Sequence, residues 1–440
     1  MMRISPKILT TEFFVKSTEG GITVLAISFL ILALMVGGLA IDVSNLMTAR
    51  TQLQIAADST AHAALLEREF KTEADAKVSA LALLQRNMPS SQFGDLLTTN
   101  EIEFGLWDAV SETFTPVSGE KSAVRVQPKR MADSGNGVAT FLLGLIGIDE
   151  WNLRVRAVFV TYNPTCFKEG FVAKGVVDLQ SNNSYTNGFC IHSNQYVSLN
   201  SNNYFEPGTV VSMPNPDDIQ LPNSGYKTNV GLQSALRKGS FYIRIIEQVD
   251  AVIAGLEDFN SDYMPNYITS TAIITLDPKN AINQTVLVSG RLHKLTCPNG
   301  GRANVSAGTL FSQIVLVTNC ELKLGNGVVL EDAIIATTNT SANSLNAASS
   351  IQVGRNDGCA SGGGAQLVSR GGMSFPANLM VYGGQLLAKG DISFAANANG
   401  VEGASFVSGG VISGTSNMAM GFCGAGMEDN IVAEYFRLGF

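Results

Sequence analysis

The chain has 440 residues, of which 45% are apolar and only 15% charged, with 44 glycines and a formal net charge of −8. That length allows two or three domains, and neutral polar residues replacing charge suit a glycine-turned β protein better than a helical cytosolic enzyme. The negative charge excludes a nucleic-acid footprint, which needs a basic face, and three histidines exclude a His-rich metal site.

Residues 1–19 carry Arg3, Lys7 and Lys16, and Gly20 to Ile41 is then free of charge, bounded by Glu19 and Asp42. A run of that length crosses a bilayer core. The preceding basic residues keep the N-terminus cytoplasmic and send the rest outward, as a single-pass anchor. A cleaved signal peptide has a shorter apolar core and an Ala-x-Ala site, and neither is present. The anchor residues singled out are Gly20, Gly21, Ala33, Gly37, Ile41 and Asp42. Of these, Ala33 and Gly37 are a small-xxx-small pair. Beyond it, Leu46, Ala49, Leu53, Ala56, Thr60 and Ala63 recur at steps of three and four, the seam of a helix. A seam this small fits either a partner helix or the protein's own later domain. No proline lies between Lys7 and Pro89, so the spacing predicts one long helix, anchor plus stalk (42–90), ending near Asn87.

These residues resemble a family. Glu19-Gly20-Gly21, the apolar run, Leu39 to Val43, and then Ala49-Arg50-Thr51-Gln52-Leu53-Gln54-Ile55-Ala56-Ala57-Asp58 look like the N-terminal module of TadE/TadG-type Tad (tight adherence, Flp pilus) assembly proteins. Phe104 to Asp108, Phe114-Thr115-Pro116, Ala123 to Val126 and Arg154 to Val158 extend the resemblance to about residue 160. It implies a bacterial inner-membrane protein of pilus biogenesis or cell-surface adhesion, with other Tad/Flp components as partners and the bulk of the chain periplasmic or surface-exposed. Prepilins cut by a dedicated peptidase carry Glu five residues after the cleavage glycine; here Leu25 and Ala26 occupy that place. Asp42-Val43-Ser44-Asn45-Leu46 also lacks the last Ser of the Asp-x-Ser-x-Ser metal site found in some TadG relatives.

Residues 95–162 read as a small α+β module. Glu101 to Trp107, Ala123 to Val126 and Asn152 to Tyr162 alternate as strands do. Val138 to Ile148 is apolar and too short to span a membrane, so it is expected as a buried core helix. Trp107 and Trp151 are expected in the core.

From 166 to 440 the sequence repeats. Leu179 to Tyr185 recurs as Leu199 to Phe205, Gly390 to Ser393 as Gly410 to Ser413, and Ile314 to Thr318 resembles Ile334 to Thr338, each at an offset of 20. Short β segments with glycine or asparagine turns at that period predict an all-β, right-handed parallel β-helix (solenoid), with stacked Asn or Ser ladders at its turns. Ile246, Val249, Ile253 and Leu256, with Arg237, Lys238, Glu247 and Asp250 between, predict an amphipathic helix inserted at 230–258 that caps or flanks the coils. The cysteines at 166, 190, 297, 320, 359 and 423 are disulfide candidates, with neighbours paired as Cys166/Cys190 and Cys297/Cys320, leaving Cys359/Cys423. The tail from Glu428, with Glu434, Tyr435, Phe436, Arg437 and Phe440, reads as a cap or as a segment docking on another subunit.

Chemistry finds little footing. Asp217-Asp218 is the one adjacent Asp pair, and paired carboxylates are what glycoside hydrolysis needs. Its flanking prolines read as a loop, and no acid cluster recurs at the coil period. Arg244 falls on the inserted helix, and His192 and His293 have no acidic sequence neighbours. Gly354 to Gly364 lacks the lysine of a phosphate-binding loop. The expectation is a structural, non-enzymatic interaction protein without metal or cofactor. The alternative is a membrane-tethered β-helix that binds or degrades envelope polysaccharide, with a surface glycan as ligand.

Overall fold

The computed structural model describes residues 21–186, 188–414 and 417–439. Arg3, Lys7, Lys16, Gly20 and Phe440 lie outside them. The chain forms two units, one from the N-terminal residues through Tyr162 together with Tyr435 onward, the other from Asn163–Glu434.

In the first unit, helix α1 (Gly21–Arg68) carries the apolar run and continues beyond it. It does not extend to Asn87. It stops at Arg68, and α2 (Glu73–Asn87) begins after a short turn, with the Thr72 side chain accepting the Asp75 N–H as an N-cap. The predicted single stalk is therefore a helical hairpin. Its small residues let α1 and α2 approach closely. Ala49, Leu53, Ala56, Thr60, Ala76, Ala80 and Leu84 are all buried, while Leu46 and Ala63 sit half-buried at the edge.

The hairpin covers one face of an antiparallel sheet. Its strands are β1 (Ile102–Asp108), β2 (Thr113–Pro116), β3 (Ala123–Val126), β6 (Ala157–Tyr162) and the C-terminal strand Tyr435–Leu438, in spatial order β2-β1-β3-β6-C-terminal strand. Ile102, Phe104, Val124, Val126 and Ala157 face the helices, as period-2 alternation requires. Trp107 and Trp151 pack as partly buried residues at the edges of the two apolar clusters. The tail divides: Ile431 exchanges two hydrogen bonds with the Gln385 side chain on the coils, whereas Tyr435 pairs with Tyr162 and Leu438 with Phe159 in the module's sheet. Between β3 and β6, β4 (Val138–Ala139) pairs with β5 (Glu150–Trp151) as a narrow hairpin. Its tip is a single 3-10 turn, Leu143–Ile146, and is bare to solvent. The buried helix expected over Val138 to Ile148 is not formed. Gly144 and Gly147 break the run, and Gly147 takes the left-handed conformation (φ 85) that ends the turn.

The second unit is a parallel β-solenoid of three strand rows per coil. The 20-residue offset is literal on both sides of the chain's entry into the coils: Val177 to Leu179 pair with Val197 to Leu199, and Ile392 to Phe394 with Ile412 to Gly414. At Ile314 the coil is one residue shorter, since Ile314 pairs with Ala333 and Thr318 with Thr337, not with Ile334 and Thr338. One residue of slip would turn inward side chains outward, so the burial pattern decides the register. Asparagines stack at one corner: Asn203 Nδ2 donates to Asn229 Oδ1 at 3.0 Å, and the Asn183 N–H to Asn203 Oδ1 at 2.9 Å.

The coils do not stack in chain order. The first coil strand, Gly170–Ala173, pairs with Cys190–Ser193 on one side and with Ser405 to Ser408 on the other. The chain therefore enters mid-stack and winds to Leu236–Lys238 at one end. It then crosses to Ile274–Leu276 at the other end and winds back to finish beside its entry. Phe171 seals this junction, with ring centroids 5.0 Å from both Phe406 and Phe189 and 5.4 Å from Phe394.

The crossing segment carries α3 (Arg244–Gly255), shorter than the helix expected over 230–258. Arg237 and Lys238 lie instead in the end strand. The helix flanks the stack: Ile246, Val249, Ile253 and Leu256 are buried, and Glu247, Asp250 and Glu257 pair with Lys174, Arg370 and Lys389, and Lys294. The disulfides are Cys166–Cys190, Cys297–Cys320 and Cys359–Cys423.

Candidate functional site

The most distinctive site is where the apolar run ends. From Gly21 to Ile41 the side chains of α1 are bare, including Ile22, Leu25, Phe29, Met35 and Ile41. A helix in water does not leave such a surface uncovered. At Asp42 the burial changes abruptly, because the carboxylate points into the loop after β4 and accepts three backbone N–H groups. These come from Phe141 at 2.6 Å, Leu142 at 3.0 Å and Leu143 at 2.8 Å. Burial raises the carboxyl's pKa, but the three donors outweigh it and hold the group below its ordinary range. One turn further, Asn45 Nδ2 donates to the Ala139 carbonyl at 3.0 Å. One turn back, Gly38 is buried against Leu142, whose Cβ would lie 2.9 Å from a Cβ placed on Gly38. Only glycine leaves room there.

Of the anchor residues singled out from sequence, Gly21, Ala33, Gly37 and Ile41 lie on the bare helix and Asp42 at its junction, while Gly20 is outside the described residues. A Cβ on Gly37 meets nothing within 4 Å, so the small-xxx-small face is open and its neighbour Gly38 makes the close contact. Of the seam, Ala49, Leu53 and Ala56 lie in the module's own core with Leu46 packed against it, Thr60 is buried, and Ala63 is half-buried. Sequence reading missed Gly38, Asn45 and the loop 141–143. Their signal was a second uncharged run, Val138 to Ile148, about a hundred residues after an Asp that follows the first.

The chemical candidates lie apart from one another. Asp217 and Asp218 are exposed on a 3-10 turn, Pro216–Asp218, capped by Asn215. His192 is buried between Ser212 Oγ at 2.7 Å and Asn194 Oδ1 at 2.9 Å. His293 accepts the Val288 N–H at 3.1 Å. Burial lowers the pKa of both, favouring neutral rings. Arg244 donates to the Glu434 carbonyl. The loop 354–364 is tied down by Cys359–Cys423 and by Arg355, which pairs with Glu331 and Asp332. Glu402 stands near the Cys359 and Cys423 sulfurs, but these are joined to each other and are not thiolate ligands. Buried Glu169, its pKa raised by burial, accepts the N–H groups of Cys423 and Gly424 and so pins the same loop.

Residues 20–76 match the Flp pilus-assembly TadE/G-like family, and residues 55–158 match a Tad-like Flp pilus-assembly family. Residues 170–424 match a domain of unknown function (DUF7867). No curated protein and no solved structure matches the chain. Among the described residues one helix, Gly21–Arg68, is long and apolar enough to cross a membrane. With the TadE/G-like match, it fits a single-pass anchor. The chain belongs to the DUF7867 family, its β-solenoid being that domain, carried on a Tad-type module of the Flp pilus-assembly kind.

Proposed function

We propose that the protein is a structural, minor pilin-like component of Tad/Flp pilus assembly, held in the bacterial inner membrane with its N-terminus cytoplasmic. Module and solenoid then lie on the far side, periplasmic or exposed at the cell surface. The observation that carries this reading is the continuity of α1. A bare apolar span passes without a break into the core of a Tad-like module, so whatever anchors the helix also fixes the module. The disulfides favour an oxidising compartment, which agrees with export. The solenoid acts by presenting a surface, not by turnover. Its buried histidines are locked in structural hydrogen bonds, and the Asp217-Asp218 turn faces solvent. Other pilus-assembly components are the partners. Crosslinking in native envelopes, followed by pull-down, should recover pilin and assembly proteins, and deletion of the gene should lower pilus number. Unchanged pili and no recovered assembly protein would overturn the reading.

A further inference from the structure

Eleven consecutive residues, Val138 to Ile148, carry no charge, yet their tip is bare. Phe141 is 65% exposed, Leu145 82% and Ile146 69%. Such a cluster on a water-facing loop marks a surface that something covers. The loop is well formed: Thr140 N–H donates to the Asp149 carbonyl at 2.9 Å, and the Ile148 N–H to the Leu143 carbonyl at 3.1 Å. Asp42, Asn45 and the Leu142–Gly38 contact fasten it to α1. Gly38 lies within the uncharged run, about 6 Å short of Asp42 along the helix at ~1.5 Å per residue. Leu142 is therefore held level with residues that the anchor reading places in the bilayer.

We propose that the loop 141–148 is a second membrane contact, its apolar tip set into the interfacial region of the leaflet beside α1. The proposal rests on the reading of 21–41 as a membrane anchor. The occupant is lipid because the loop is fastened to the same apolar run whose bare side chains the anchor reading gives to lipid. Charge returns at Asp149 and Glu150, as at an interface. A lone helix is free to spin about its axis. A second contact fastened to it fixes its rotation and tilt, and so the direction in which the module faces.

The test uses the full-length protein in nanodiscs containing lipids brominated high on the acyl chain. Ile146→Trp and, as a second variant, Leu145→Trp are compared with the parent chain, whose native tryptophans supply the background. Val110→Trp, at a 97% exposed residue of the β1–β2 turn, is the water-facing control. The added emission in the loop variants should be blue-shifted and quenched severalfold more by bromolipid than by acrylamide, with the reverse for the control. Acrylamide-accessible emission in a chain that resists carbonate extraction would overturn the loop contact alone. Shielding from both quenchers would overturn it in favour of protein cover. Extraction by carbonate would overturn the anchor reading, and the loop with it.

Discussion

At the residue scale, buried polar groups decide local geometry here because each must be satisfied. Asp42 is ionised for want of anything better to do with three inward N–H groups, and its negative charge is the link between a helix and a loop 100 residues away. His192 and His293 show the opposite case. Burial lowers their pKa, so the folded chain keeps them neutral while the unfolded chain protonates them below about 6.5. Their stabilising contribution is therefore present above that value and is lost as pH falls toward the lowered folded values. Denaturant unfolding at pH 7.5 and 5.5 should show lower stability at the acid pH, by at most about 1.4 kcal/mol per pH unit for each histidine. His192→Gln should flatten that dependence in part. An identical pH slope in the variant would show that His192 plays no part in it.

At the element scale, the seam of α1 illustrates what spacing conveys and what it does not. Steps of three and four identify a helix face, but the pattern is the same whether the face meets a partner or the chain's own sheet. The stop at Arg68 was marked only by Thr72 ahead of Glu73 and Asp75, a capping signal that absence of proline cannot replace. The run Val138 to Ile148 is apolar without being buried, and its glycines, not its hydropathy, set its conformation as a turn. The offset of 20 was legible because parallel stacking sets like residues over like; the 19-residue coil at Ile314 was hidden because adjacent aliphatic residues, Ala333 and Ile334, align equally well by eye. Two of the three disulfides were readable for the same reason, Cys359–Cys423 only by elimination. Cysteines 24 and 23 residues apart fall about one coil apart and so become neighbours. The internal role of the seam makes a sharp distinction between adjacent positions. Leu53→Ala, at 0% exposure, should lower stability by about 2–5 kcal/mol, whereas Ile55→Ala, at 63%, should change it by under about 0.5 kcal/mol. Thermal unfolding in detergent compares them; equal effects would mean that the seam is not the core of the hairpin.

At the scale of the whole molecule, a period reveals the length of a coil but not which coil lies on which. Nothing in the repeats shows that the first coil sits against the last, because Phe171, Phe394 and Phe406 meet only after the crossing segment has carried the chain from one end of the stack to the other. Asn163 follows Tyr162 in the chain and Glu434 precedes Tyr435, and Tyr162 and Tyr435 pair, so the solenoid is an insertion between two neighbouring strands of the module. A chain ended after Glu434 should leave β6 with an open edge. Limited proteolysis should then cut within 95–162 faster than in the full chain, while 163–434 stays resistant. Equal resistance of the module would make the closing strand dispensable. The strand that closes the module's sheet is synthesised after the entire solenoid. Closure of the sheet therefore reports completion of the chain: synthesis that stops anywhere in the solenoid leaves β6 with an unpaired edge, whatever the state of the coils.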